Sequence, residues 1–219
     1  MILNILFGGY FSILLYEIKR RFYSKKKFYC LKKDLNNLNQ IKKSNIDFSI
    51  REMTKKDFDA IFTDEIIHSN ANEYKDYLKR KILYDYGFDE CYVSVDKSDT
   101  PIFIQWIMNP EEENKIDEVF QNGIPVLADN EVLFEGAYTK PGFRQKKIMS
   151  ESLGRFSEII KKKGKHFLIT YVEFENVQSL KACINAGFYI YKTKTDMWRY
   201  FKRHSIYISE ESVPYQQIS

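Results

Sequence analysis

The chain has 219 residues, 44% hydrophobic and 29% charged, which is ordinary for a globular protein and enough for one domain with a real core plus an appendage. Three widely spaced cysteines (Cys30, Cys91, Cys183) and three scattered histidines form no CxxC pair or ligand cluster. This argues against a disulfide framework or zinc site and fits a reducing cytoplasm. The net charge of +4 is uneven: residues 1–45 hold ten Lys/Arg against two acidic residues, and the remainder holds 24 against 28. The body is therefore mildly acidic and gives no ground for nucleic-acid binding.

In chain order, MILNILFGGYFSILLY is apolar for about 16 residues and precedes the basic run EIKRRFYSKKKFYCLKK. It is too short and interrupted for a transmembrane helix, and no small-residue cleavage site follows. The expectation is a helical extension over residues 1–45. It either packs on the body or a second subunit, as in a homodimer, or lies in a membrane interface with its basic flank on anionic lipid. Residues 36–46, polar and turn-like, mark the domain boundary. DFSIREM then reads as a short strand, and Thr54 with Asp57 forms a capping-box start for a helix. SNANEYKDYLKRKILYDYG reads as an amphipathic helix, with Tyr74, Tyr77, Leu78, Ile82 and Leu83 toward the core and Gly87 as its stop.

CYVSVD and PIFIQWIMN read as strands joined by the turn KSDT, and an acidic insert with a helical turn at IDEVFQ follows. Residues 131–141 form the next strand. A helix from about Ile148 to Lys163 carries Met149, Leu153, Phe156 and Ile160 on one stripe and ends in Lys161–Lys163, which suits the negative end of the helix dipole. HFLITYV is a buried-type strand. Asn176 caps a short helix closed by Gly187, and FYIYKTKTDMWRYFKR supplies one or two last strands. The whole is a mixed α/β (α+β) domain around one central sheet, over residues 46–205, with a tail at 206–219.

The strand-to-helix turn PGFRQKKIMS places Arg144, Lys146 and Lys147 around a helix N-terminus, whose unpaired amides and dipole attract phosphate. A second segment reads Asn176-Val177-Gln178-Ser179, then Gly187-Phe188. Together the two resemble the GCN5-related N-acetyltransferase (GNAT) superfamily, whose first motif is Pro-x-aromatic-Arg-x-x-Gly-x-Gly and whose second is Asn-x-x-Ala/Ser…Gly-Phe. The element order from residue 46 to about 203 resembles the family as well. The motif glycines are replaced by Lys147 and Met149, and the expected backbone there is helical, needing no positive φ.

The resemblance implies a mostly antiparallel central sheet flanked by helices, and acetyl transfer from acetyl-CoA to a small amine by direct attack, without a metal. It implies that the backbone of Ala137, Tyr138 and Thr139 pairs with the pantetheine arm. It further implies that Arg144, Gln145, Lys146, Lys147, Ile148 and Met149 hold the pyrophosphate, and that Asn176 and Ser179 bind the cofactor. A base is needed to deprotonate the ammonium. Glu131 and Glu135, four apart on one strand, share a face; Glu135 comes first as base and Glu131 second. The family's proton-donating Tyr position holds Cys183, which can donate a proton or simply pack, with Tyr171 and Tyr189 nearby in sequence. Among acceptors, amino-sugar nucleotides are an attractive class for a cytoplasmic enzyme peripheral to the inner membrane face. A non-catalytic module binding CoA, a partner or a membrane is the alternative.

Overall fold

The computed structural model describes residues 18–37 and 42–209. The apolar start at 1–17 and residues 210–219 lie outside the described residues, so the expectations placed there are not addressed below. Eight strands form one sheet: β1 (Tyr23–Asp34), β2 (Ser49–Glu52), β3 (Glu90–Val95), β4 (Pro101–Met108), β5 (Glu131–Thr139), β6 (Phe167–Glu173), β7 (Tyr189–Arg199) and β8 (Lys202–Ser209). The helices are α1 (Lys55–Ile61), α2 (Asp64–Ser69), α3 (Ala71–Asp85), α4 (Glu113–Phe120), α5 (Ile148–Lys162) and α6 (Val177–Asn185). The spatial order is β2-β3-β4-β5-β6-β1-β7-β8. Every neighbouring pair is antiparallel except β5 and β6. Among the described residues no helix is long and apolar enough to cross a membrane.

The mixed, mostly antiparallel sheet flanked by helices agrees with the sequence reading. Caps placed from sequence are present: Thr54 and Asp57 form the reciprocal capping box of α1, and Asn176 Oδ1 accepts from Ser179 N at 3.1 Å to start α6. One apolar cluster, with Leu153, Phe156 and Ile160 of α5 and Leu180 of α6, covers one face of the sheet. A second, with Phe58, Ile61, Leu83 and Ile116 of α1, α3 and α4, covers the other.

Residues 23–34 depart from the expected helical extension. They form the 12-residue strand β1, inserted between β6 and β7, with Cys30 and Leu31 fully buried. Only residues 18–22 of the described N-terminal segment are helical. The lysine-rich sequence hid a strand whose C-terminal half is buried on both faces. Lysine stems cover apolar surface there while their ammonium groups find partners: Lys32 Nζ lies 3.9 Å from the Phe167 ring centroid, and Lys33, itself buried, donates to Ser157 Oγ at 2.9 Å. The polar stretch at 36–46 thus lies, in sequence, between two strands of one sheet. At the other end β8 runs past residue 205 to Ser209.

On α3 the expected face holds for Leu83, which is buried, and for Tyr74 and Tyr77, which pack on the same cluster, whereas Ile82 is 48% exposed. The acidic Glu73 is buried as well; it and Arg80 reach residues of β5, described next.

Candidate active site

Strands β5 and β6 pair in parallel over three residues only, from Glu131↔Phe167 to Leu133↔Ile169. Beyond that point β6 keeps pairing with β1 as far as Phe28↔Glu173, while β5 turns away. The turn is a bulge. The β4–β5 register slips between Ile104 and Trp106, and Gly136 adopts φ +71 there, a conformation glycine takes without steric cost. A Cβ at that position would meet Leu83 Cδ1 at 2.6 Å and Trp106 Cε3 at 2.7 Å. Bulge and helix packing therefore depend on the same missing side chain.

The edge of β5 exposed by this splay is lined with backbone carbonyls, and two arginines meet it. Arg80 of α3 donates from Nη2 to Ala137 O at 2.6 Å and from Nε to Gly136 O at 3.3 Å. Its Nη1 is held by Asp76 Oδ1 at 2.8 Å. Arg144 donates from Nε to Thr139 O at 3.1 Å and grips Glu73 with both Nη atoms, at 2.6 and 3.0 Å. Tyr138 donates to the same carboxylate at 2.7 Å. Burial alone would raise the pKa of Glu73, but the hydrogen bonds from Arg144 and Tyr138 outweigh it and hold the carboxylate below its ordinary range.

Glu135 stands where the strands part. It is half-buried, yet its carboxyl is enclosed by protein, and that desolvation pushes its pKa up to about 7 against the hydrogen bond from Gly136 N and the opposing charges of Arg80, Lys194 and Lys79. A carboxylate tuned near neutrality suits a general base. Glu131 lies at the start of β5, before the splay, and is engaged by Lys32 Nζ at 2.8 Å and Ala128 N at 3.2 Å. Cys183 is buried in the core beside Leu180, Ala186 and Phe188. Burial, with the charge of Glu135, pushes its thiol up to about 12, so it keeps its proton and serves as a small packing group.

The turn before α5 carries the remaining expected groups. Lys146 donates to Gly142 O at 2.9 Å and lies 5.0 Å from the Phe143 ring centroid. Gln145 and Lys147 adopt positive φ, 63 and 61. The expectation of an ordinary helical backbone at the two missing glycines is therefore corrected at one of them: Lys147 is the left-handed N-cap of α5, while Met149 lies inside the helix. The first-turn amides of Ile148, Met149 and Ser150 have no acceptor within the helix. Ser150 Oγ is buried among them without a hydrogen-bond partner among the described residues. Asn176 and Ser179 sit together at the start of α6, occupied by the cap they make.

The structure thus sets Glu135, Ala137, Tyr138 and Thr139 along β5 beyond the end of its pairing with β6, with Arg144 bonded to Thr139 O and Lys146–Met149 in the turn and first residues of α5. Sequence reasoning missed Glu73 and Arg80, which come from a helix more than 50 residues upstream and carry no local signal. It also missed Ser44 and Asn45, whose amides bond Glu151 Oε2 at 2.5 Å and Lys146 O at 3.0 Å. Gly136 was readable as a lone glycine inside a strand.

No protein-family model and no curated protein sequence matches the chain. Solved structures do. A GCN5-related N-acetyltransferase from Sphaerobacter thermophilus superposes with a TM-score of 0.51 at 9% identity, over 90% of this chain and 57% of that one. The GCN5-related glucosamine N-acetyltransferase region of a fungal multi-domain GH3 beta-N-acetylglucosaminidase gives 0.53 at 12%, over 83% of this chain and 22% of that one. A functionally unknown conserved protein from Staphylococcus epidermidis ATCC 12228 gives 0.52 at 14%, over 84% and 66%. The chain spans less than two thirds of the length of each of these structures. At these identities the likeness is one of fold, and the fold this chain carries is that of the GCN5-related N-acetyltransferases.

Proposed function

We propose that this protein is an acetyl-CoA-dependent N-acetyltransferase acting on a small-molecule amine. The observation that carries the reading is Glu135, a carboxylate of pKa about 7 placed where β5 leaves β6 and opens its backbone edge. Support for the cofactor comes from the buried Ser150 Oγ in the first turn of α5, which has no hydrogen-bond partner among the described residues, and from the β5 edge, where Ala137 O and Thr139 O accept from Arg80 and Arg144 with one lone pair each left over. Lys146, Lys147 and the first amides of α5 would hold the pyrophosphate by charge-assisted hydrogen bonds. The β5 edge from Ala137 to Thr139 would hold the pantetheine amides. When bound, the cofactor supplies an acetyl group activated as a thioester.

In this reading Glu135, directly or through a water, takes the proton from the acceptor ammonium, and the freed amine attacks the thioester carbonyl. The departing sulfur leaves as a thiolate that needs no donor from Cys183. We place an amino sugar, free or nucleotide-linked, first among acceptors; the fungal neighbour is described as a glucosamine N-acetyltransferase region.

Calorimetry with acetyl-CoA tests the cofactor, and release of free thiol with a panel of amines, amino sugars included, tests the transfer. Binding in the micromolar range with amine-dependent thiol release is expected. Absence of binding at high micromolar acetyl-CoA would reject the enzyme in favour of a non-catalytic module of the same fold.

A further inference from the structure

The far corner of the sheet, away from the β5–β6 opening, carries a second specialised feature. Strands β7 and β8 are joined by two residues, Tyr200 and Phe201, between the paired Arg199 and Lys202. Both adopt left-handed conformations, φ 48 and 64. A two-residue hairpin turn of this kind favours Asn-Gly, because side chains with a Cβ resist φ above zero. Each aromatic is strained in this conformation, and neither offsets the strain by burial: Tyr200 is 73% exposed and Phe201 56%. Strain held at an exposed position points to a use outside the fold.

The turn does not protrude alone. Its amides are held by the segment entering β1, Tyr200 N by Phe22 O and Phe201 N by Arg21 O, each at 2.9 Å. Phe22 stacks edge-on against Tyr200 with ring centroids 5.0 Å apart. Ile18, Phe22 and Tyr23 are exposed on the same segment. Residues 18–27 and 196–204 together carry nine Lys/Arg and one acidic residue, Asp196. That carboxylate is buried and already bonded by Lys194, Arg203 and Ser205. Beside the tip a cavity of about 520 Å³ is walled by Trp198, Phe201 and Tyr207. On its lining Arg203 keeps a buried Nε without a partner among the described residues.

We propose that this corner docks on an anionic lipid bilayer, with Tyr200 and Phe201 at the headgroup level and the surrounding exposed cations on the lipid charge. Aromatic side chains seat at the membrane–water interface and basic residues add to the attraction of an anionic surface. A protein partner is disfavoured by shape: a convex tip of five side chains offers a few hundred Å², against about 800 Å² per partner in a stable protein interface. The proposal is independent of the acetyl-transfer reading.

The test is co-sedimentation of the full chain with vesicles of phosphatidylglycerol and phosphatidylcholine, against phosphatidylcholine alone. Tighter binding to the anionic vesicles by about tenfold or more is expected. The variant Tyr200→Asn with Phe201→Gly restores the favoured turn, so it should melt no lower than the parent while losing about tenfold or more in vesicle affinity. Arg199→Glu with Lys202→Glu changes exposed charge only and should lower binding to anionic vesicles alone. The proposal is overturned by parental affinity in the turn variant, by equal binding to both vesicle types, or by binding to neither.

Discussion

Lys147 and Met149 stand where the motif has glycine, and the structure assigns them opposite energetics. Lys147 holds φ 61 and its side chain is exposed, so replacing it by glycine removes few contacts. A residue with a Cβ pays roughly 1–2 kcal/mol in the left-handed region, and glycine gives back roughly 0.5–1 kcal/mol through the greater freedom of its unfolded chain. Lys147→Gly should therefore stabilise the protein by about 0.5–1 kcal/mol. For a chain of this size that corresponds to a rise in Tm of about 2–3 °C.

Met149 is helical and packs partly against the core under α5. Glycine there costs about 1 kcal/mol in helix propensity and about 1 kcal/mol more in lost burial. Met149→Gly should lower Tm by about 5 °C. Calorimetric melts of the two variants and the parent in one buffer decide the matter. A fall in Tm for Lys147→Gly, or a shift of the same sign for both, would refute the assignment of strain to Lys147.

Further expectations concern single groups. Glu135→Gln should lower turnover by about 100-fold or more with acetyl-CoA affinity within a few-fold of the parent; unchanged turnover removes Glu135 as the base. Because that base works deprotonated and its pKa is about 7, kcat/KM should climb as pH rises through neutrality. Arg80→Met removes a positive charge that opposes the upward shift of Glu135, so the acidic limb of that profile should move to higher pH; a limb that stays in place or moves to lower pH rejects the coupling. Lys33 is buried and desolvation pulls its pKa down to about 8, so the unfolded chain binds more protons between that value and the ordinary lysine range. Measured against Lys33→Met, the parent's stability should therefore rise with pH through that window, and at pH 7 the variant should be the more stable by a few kcal/mol, read from urea midpoints.

Periodic and punctuated stretches were readable in the sequence because their signals are local. The Thr54–Asp57 box, the Asn176 cap and the α5 stripe need only residues within two turns of one another. Strand β1 was not readable because five of its 12 residues are lysines, and lysine content suggests solvent when the buried length of the side chain is what matters. Motif positions could be aligned, but not the fate of Arg144. Its partner Glu73 lies 71 residues away, so the expected phosphate ligand appears instead as the exposed half of an ion pair with a buried carboxylate. Lys147 shows the converse. The motif glycine has gone while the backbone shape it served remains, held by the burial of Ile148 on one side and by Asn45 N on Lys146 O on the other.

The N-terminal strand accounts for more than sheet order. Strand β6 has two neighbours and treats them unequally: three residue pairs with β5 against seven with β1. A strand so firmly paired on one side stays in place when the bulge at Gly136 draws β5 away, and the opening forms on the side that is held for three residues only. Lys26 of β1 then bonds Glu173 at the far end of β6 at 2.8 Å, extending that hold to where the two walls stand furthest apart. The same segment, four and five residues earlier, supplies the Phe22 and Arg21 carbonyls that clamp the Tyr200–Phe201 turn. One stretch of chain therefore fixes both the far wall of the proposed acetyl-CoA cleft and the base of the proposed lipid-facing tip.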